Sequence, residues 1–333
     1  MPAIGSRAAG RRRPPQLHGW PLAAALVALP TLLPLGAVVG AALSPDPEIW
    51  AHLHRYVLPQ VLTNTAWLLA GVGVGTALLG SVLAALVALC DFPGRRVFSW
   101  ALLLPLAVPT YVLAVAFVGL LDFSAPLPSA LREAGIVLPE IRSRGGVIAV
   151  MTLALYPYVY LVARAAFATQ GLRTLEVARA LGMSPPLAFV RASLPLARPW
   201  IAAGTLLVLM ETLADFGAVA AFNYDTFTTA IYKAWFGLFS LDAALSITAV
   251  LLLVVVALVA AEARTRARSR YAAPGAAPAQ RLALGRSGWL ASALCTLVLL
   301  AAFVVPLAQL LHWAWAQAEP FGRHELQLGL RSV

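Results

Sequence analysis

The run Ala66–Leu89, AWLLAGVGVGTALLGSVLAALVAL, carries no charged residue. As a helix it is long enough to cross the roughly 30 Å hydrocarbon core of a bilayer. Six more runs of this kind flank it: Trp20–Leu43, Val97–Leu121, Val147–Thr169, Trp200–Phe222, Leu241–Ala261 and Trp289–Ala316. Their apolar residues arrive in blocks rather than at a helical or strand period, which points to lipid as the solvent. The whole chain agrees, being 61% hydrophobic and 11% charged, where a soluble domain carries about 25% charged residues. Such a sequence cannot cover a water-facing surface. Pro105 and Pro109 interrupt the third run, which spans tolerate where neighbours satisfy the freed backbone groups.

The placement of Lys and Arg orients the spans. Sixteen of the 24 basic residues fall at one side, in the N-terminus (Arg7, Arg11–Arg13), after span two (Arg95, Arg96), after span four (Arg173, Arg179, Arg191, Arg198) and after span six. Seven fall at the other, and Arg164 lies near the inner end of span four. Positive residues stay cytoplasmic, so the N-terminus is expected inside and the far end of span seven outside. The long first run, with no A-x-A cleavage site after it, reads as an uncleaved helix. The net charge of +10 does not indicate nucleic acid, because the basic residues sit in short clusters between apolar runs rather than among aromatics on a wet face. Two isolated cysteines, Cys90 and Cys295, exclude a disulfide framework or a CxxC metal site. No G-x-x-x-x-G-K-[ST] is present, so the chain is not expected to hydrolyse ATP itself.

Residues 1–19 read as a basic cytoplasmic N-terminus, 20–262 as one six-helix unit, and 263–287, rich in Arg, Ala and Pro, as a flexible linker. Gly288-Trp289 then repeats Gly19-Trp20, and Val305-Pro306-Leu307 loosely repeats Leu33-Pro34-Leu35. Residues 288–333 are therefore expected to open a second unit that the chain leaves incomplete.

One loop differs from the rest. In 171–199, Thr174 can cap a short helix with Glu176 in its first turn, Leu175, Ala178 and Gly182 share a side, and Gly182 is a natural stop. Ser184 with Pro185 starts a second short helix, with Leu187, Val190 and Leu194 on one face and Pro195 at its end. Two short amphipathic helices suit either the groove of a soluble partner or the surface of anionic lipid.

Glu176-Val177-Ala178, Gly182 and Leu194-Pro195 resemble the E-A-A, Gly, I-x-L-P loop of permease subunits in binding-protein-dependent ABC importers. Five positions match at the family spacing, with Val177 and Ala192 as small apolar departures. The resemblance implies an all-α polytopic membrane protein with a six-helix, MetI-like permease core, plus a seventh helix opening a second repeat. It implies docking of Glu176, Ala178, Gly182, Leu194 and Pro195 onto a cytoplasmic ABC ATPase dimer, which would hold the ATP and magnesium. An external substrate-binding protein and a second permease half would complete the importer in the inner membrane. No cofactor or resident metal is implied for this chain. A second such loop is absent from it, and a working importer needs two.

Glu211-Thr212-Leu213-Ala214-Asp215-Phe216-Gly217, the stretch Phe227–Phe236 and Arg268-Ser269-Arg270-Tyr271 resemble the iron(III) permease group of that family. Thiamine, polyamine, phosphonate or an oxyanion are the alternative cargoes. Glu211 and Asp215 lie four apart in an apolar run, and ionisable residues at such depth face a cavity or a partner. Carboxylates suit a hard trivalent cation, and Tyr156 and Tyr160, sharing a face across Tyr158, could add phenol oxygens. The same carboxylates would serve an ion-coupled secondary transporter; in the bland case they bond neighbouring helices. His52 and His54 read as solvated surface residues, and Asn64 and Thr65 as caps of the second helix.

Overall fold

The computed structural model describes residues 20–267 and 281–316. The N-terminal basic cluster, Arg268–Tyr271 and most of the linker lie outside the described residues. In chain order the helices are α1 (Trp20–Leu43), α2 (Pro47–His52), α3 (Leu58–Leu89), α4 (Arg95–Ala101), α5 (Thr110–Leu121), α6 (Pro126–Glu133), α7 (Arg144–Ala166), α8 (Leu172–Ala180) and α9 (Pro185–Ala188). They continue with α10 (Leu194–Ala214), α11 (Gly217–Ala221), α12 (Phe227–Tyr232), α13 (Leu241–Ala267), α14 (Gly288–Leu299) and α15 (Val305–Ala316). Two-residue strands β1 (Cys90–Asp91) and β2 (Leu282–Ala283) pair in parallel. Seven helices among the described residues are long and apolar enough to cross a membrane.

The second span begins earlier than its apolar run. Asp46 accepts hydrogen bonds from the N–H groups of Glu48 (2.9 Å) and Ile49 (3.1 Å), which caps α2 and satisfies its first orphan donors. The helix then runs through His52, His54 and Arg55 to Leu89. Asn64 and Thr65 are therefore mid-helix and do not cap it. Asn64 instead reaches across to the Asp225 carbonyl at 3.0 Å.

The third span breaks as the prolines require. Helix α4 stops at Ala101, a single 3₁₀ turn holds Leu104–Ala107, and α5 restarts at Thr110. The carbonyls freed by that break do not go unpaired in lipid. Tyr156 donates to Leu102 O at 2.9 Å, Tyr160 to Ser99 O at 3.1 Å, and Arg164 also donates to Ser99 O.

Helices α3, α7 and α10 form the centre. Their backbones meet at glycines: a Cβ on Gly80 would stand 2.8 Å from Val159 Cβ and 2.9 Å from Tyr156 O, and one on Gly204 3.0 Å from Val159 Cα. In lipid such close approach supplies the dispersion contacts that hold spans together. By contrast α1 touches the bundle mainly along α13 and leaves Leu26, Val27 and Leu33 exposed. The seventh span rests on the helices before it. Ser292 donates to Pro93 O at 2.7 Å, and Trp313 of α15 covers Gly119 of α5.

Three spans carry a π-helical turn directly before a proline. Leu53–Val57 precedes Pro59, Phe189–Ser193 precedes Pro195, and Leu300–Val304 precedes Pro306. In each the residue before proline bonds five residues back: Leu58 N to Leu53 O, Leu194 N to Phe189 O, and Val305 N to Leu300 O. Proline cannot donate and its ring crowds the carbonyl four residues earlier. Widening the turn by one residue gives the ring room and lets the helix continue.

Candidate coupling loop and acidic break

The loop 171–199 is an extension of two spans rather than a separate helix pair. Span four passes through a π turn, Phe167–Gly171, straight into α8. The sequence expectation of a fresh start at Thr174 is thus corrected: Thr174 lies inside α8, because nothing in Phe167–Gly171 breaks the backbone ladder. Leu175 and Ala178 are buried against the bundle, as their spacing indicates. Glu176 is exposed, with Val177 at 60% and Leu181 at 76% exposure beside it. The outer surface of the knob is therefore apolar with a charged member.

Gly182 closes the helix with φ at +86°. Met183 N bonds Ala178 O at 3.1 Å and Gly182 N bonds Arg179 O at 2.9 Å, so the last carbonyls of α8 are taken up in a Schellman-type turn. The returning limb, α9, starts after Ser184 with Pro185 in its first turn. Pro195 does not end this limb, for the reason given above: the π turn at Phe189–Ser193 absorbs it and α9 leads into α10. The same turn corrects the expected face. Ala188 and Ser193, five apart, are buried, while Leu187 and Val190 are exposed at 37% and 53%.

Two contacts clasp the limbs. Ser193 donates to Gly171 O at 3.1 Å, and the rings of Phe167 and Phe189 lie 5.8 Å apart. A Cβ on Gly171 would meet Ser193 Oγ at 2.7 Å, so glycine is needed for the approach. Sequence reading passed over Gly171 and Ser193. The available signal was a pair of small residues at the two mouths of the loop.

Glu211 and Asp215 do not share a helix face. Helix α10 ends at Ala214 and Asp215 is extended, with φ −68° and ψ 128°. One Asp215 carboxylate oxygen accepts from Ala218 N (2.8 Å) and Val219 N (3.4 Å), and the other from Thr110 Oγ1 (2.5 Å). The Asp215 carbonyl accepts from Thr228 Oγ1 at 2.7 Å. Asp215 thus pins the break after α10 to the restart of the third span, and α11 to both. Glu211 remains exposed on α10.

Tyr156 and Tyr160 are fully buried, and their hydroxyls are held by the carbonyls of the broken third span. The structure gives them to the scaffold, away from any open face. The middle tyrosine, Tyr158, is half-buried. Among the described residues no three His, Cys, Asp or Glu side chains gather as a metal site.

Residues 77–271 match the family model of the binding-protein-dependent transport system inner membrane component. An iron(III)-transport system permease protein of Haemophilus influenzae is 30% identical over 255 residues, which cover 75% of this chain and 46% of that protein. The chain therefore spans about half the length of that relative. A protein called a probable molybdenum ABC transporter permease, of Haloferax volcanii, is 29% identical over 237 residues, covering 71% of this chain and 85% of the relative. The solved structure of a bacterial alginate ABC transporter, in complex with an alginate-bound periplasmic protein, superposes with a TM-score of 0.61 at 17% identity. It covers 77% of this chain and 97% of that one. That likeness gives the all-α permease fold. The chain belongs to the inner-membrane permease components of binding-protein-dependent ABC importers.

Proposed function

We propose that this chain is the membrane-spanning permease of an ATP-driven importer of iron(III), worked by a cytoplasmic ABC ATPase dimer through the Glu176–Pro195 loop. The observation that carries the reading is the knob itself. It projects Glu176, Val177 and Leu181 outward while two clasps and two continuous helices tie it to spans four and five. A force on the knob would reach the spans without passing through a hinge.

The excess of Lys and Arg on the loop side supports a cytoplasmic N-terminus and a cytoplasmic knob. The opposite end would receive cargo from an external binding protein. Residues 288–333 would open a second permease unit, and the open faces of α1, α10 and α13 leave room for that half. The chain would bind no cofactor; ATP and magnesium would sit in the ATPase.

Iron is supported by the Haemophilus relative and by Glu211, an exposed carboxylate on α10. The molybdenum relative favours a second reading, an oxyanion cargo, for which an exposed carboxylate on the path would be adverse. Glu176→Lys should abolish co-purification with the ATPase while the permease stays monodisperse; retained co-purification refutes the docking role. Uptake of radiolabelled iron(III) and of molybdate by cells expressing the complete transporter separates the cargoes, and iron uptake at background would remove the first.

A further inference from the structure

At the loop end, outside the knob, three arginines from distant parts of the chain converge on one cavity of about 530 Å³. Arg95 comes from the start of α4, Arg164 from the end of α7, and Arg281 from the segment before β2. Among the described residues no carboxylate lines this cavity. A neighbouring one shares Arg95 and Arg281, adds Arg96, and brings the acid of the neighbourhood, Asp91. Asp91 lies 3.4 Å from Arg95 Nε but its side chain is 70% exposed. One solvated carboxylate stands against four guanidinium groups.

Each lining arginine is anchored by a main-chain carbonyl. Arg95 donates to Val87 O at 3.3 Å, Arg281 to Ala88 O at 3.2 Å, and Arg164 to Ser99 O. Those carbonyls belong to the last turn of α3 and to α4, so the forks are anchored on the spans, and Asp91 beside Arg95 is the one acid near them. A guanidinium carries five N–H donors in a rigid fork, and one carbonyl apiece leaves most of them over. Arg95 Nε is buried and makes no hydrogen bond, and its one charged neighbour is the solvated Asp91 carboxylate at 3.4 Å. Like charges held together raise the energy unless an anion joins them.

The walls narrow the choice of anion. Leu161, Val162 and Ala165 line the same cavity, and Leu161 is 44% exposed towards the side of α7. The site lies at the C-terminal ends of α3 and α7, and basic pockets between helices at the headgroup level take phosphate groups. Forked arginines match phosphate oxygens in pairs.

We propose that Arg95, Arg164 and Arg281 form a binding site for a phosphate group, supplied by an anionic phospholipid head or by free phosphate. Occupancy would bridge α4, α7 and the segment joining the two permease units. The inference is independent of the cargo.

The test uses the full chain purified in neutral detergent. It is titrated separately with dihexanoyl phosphatidylglycerol, dihexanoyl phosphatidylcholine and inorganic phosphate, and read by calorimetry and native mass spectrometry. Saturable binding of phosphatidylglycerol without phosphate identifies a lipid site; comparable binding of phosphate identifies a free-anion site. Either outcome supports the proposal, provided the Arg164→Gln/Arg281→Gln variant weakens binding about a hundredfold, at roughly tenfold per charged hydrogen-bond donor removed. Equal binding of phosphatidylcholine, no binding of either anion, or unchanged affinity in the double variant overturns it. Should the double variant aggregate, Arg281→Gln alone, at an exposed residue, must cost about tenfold; no loss there also overturns the proposal.

Discussion

Gly182→Ala isolates the part of the knob that depends on backbone conformation alone. Gly182 holds φ at +86°, where an L residue costs about 1–2 kcal/mol. A Cβ built there would meet nothing within 4 Å, so no clash contributes and the whole cost is conformational. The turn it closes carries the Met183–Ala178 and Gly182–Arg179 bonds that finish α8. Raising the energy of the closed turn by that amount shifts its local opening roughly 5–30-fold. Amide exchange of Leu172–Met183, followed by mass spectrometry on the purified chain, should speed up by that factor in Gly182→Ala. Peptides from α3 and α7 should not change, because those helices meet through Gly80 and Val159 and not through Gly182. Gly182→Asn should recover most of the protection, since asparagine tolerates the left-handed region. Unchanged exchange in the alanine variant would refute the claim that positive φ at this residue holds the knob. Faster exchange throughout the spans would refute the claim that the effect is local.

Tyr156→Phe keeps the ring but strips Leu102 O of its donor inside the bundle; it should lower stability by about 1–3 kcal/mol, read as a fall in Tm, while Tyr158→Phe leaves Tm unchanged. Gly80→Ala forces a Cβ against Val159 and the Tyr156 carbonyl, and a backbone oxygen cannot move aside. It should cost roughly 1–3 kcal/mol by overpacking, and a wild-type Tm would contradict the close contact of α3 with α7. Asp215→Ala removes a helix cap worth about 0.5–2 kcal/mol and should lower Tm. Glu211→Gln should leave Tm alone and reduce iron uptake, and the reverse pattern would exchange the roles assigned to the two carboxylates.

The spans were legible because hydrocarbon imposes a length and a composition on every helix that crosses it, and runs such as Ala66–Leu89 meet both. Helix ends outside the hydrocarbon escape that logic. The second span begins at Pro47, nineteen residues before its apolar run starts at Ala66, and Glu48, His52 and Arg55 hide the extension from any hydropathy window. The signal was there in another form, as Asp46-Pro47 with Glu48 in the first turn, an N-terminus signature. At the candidate site, Leu175 and Ala178 followed the α period and were placed correctly. Glu211 and Asp215 also have helical spacing, but spacing assumes an unbroken helix. The helix breaks at Asp215, whose carboxylate accepts hydrogen bonds from the N–H groups at the start of α11 and from the Thr110 hydroxyl. No pattern in the run itself announces that exchange.

The prolines carry the last step. Read by the usual rule, Pro195 stops a helix and makes the returning limb of the knob a separate piece. A π turn reverses the consequence, because the fourth-back carbonyl that proline would crowd is no longer the one the helix uses. The face then rotates, and residues five apart, Ala188 and Ser193, turn inward. Leu187 and Val190, which an α period would bury, are left on the surface of the knob. The same substitution of registers at Pro59 and Pro306 lets spans two and seven pass a proline without ending. Pro59, Pro195 and Pro306 therefore mark changes of helical register, and at Pro195 that change makes the loop continuous with span five and sets which side chains it presents.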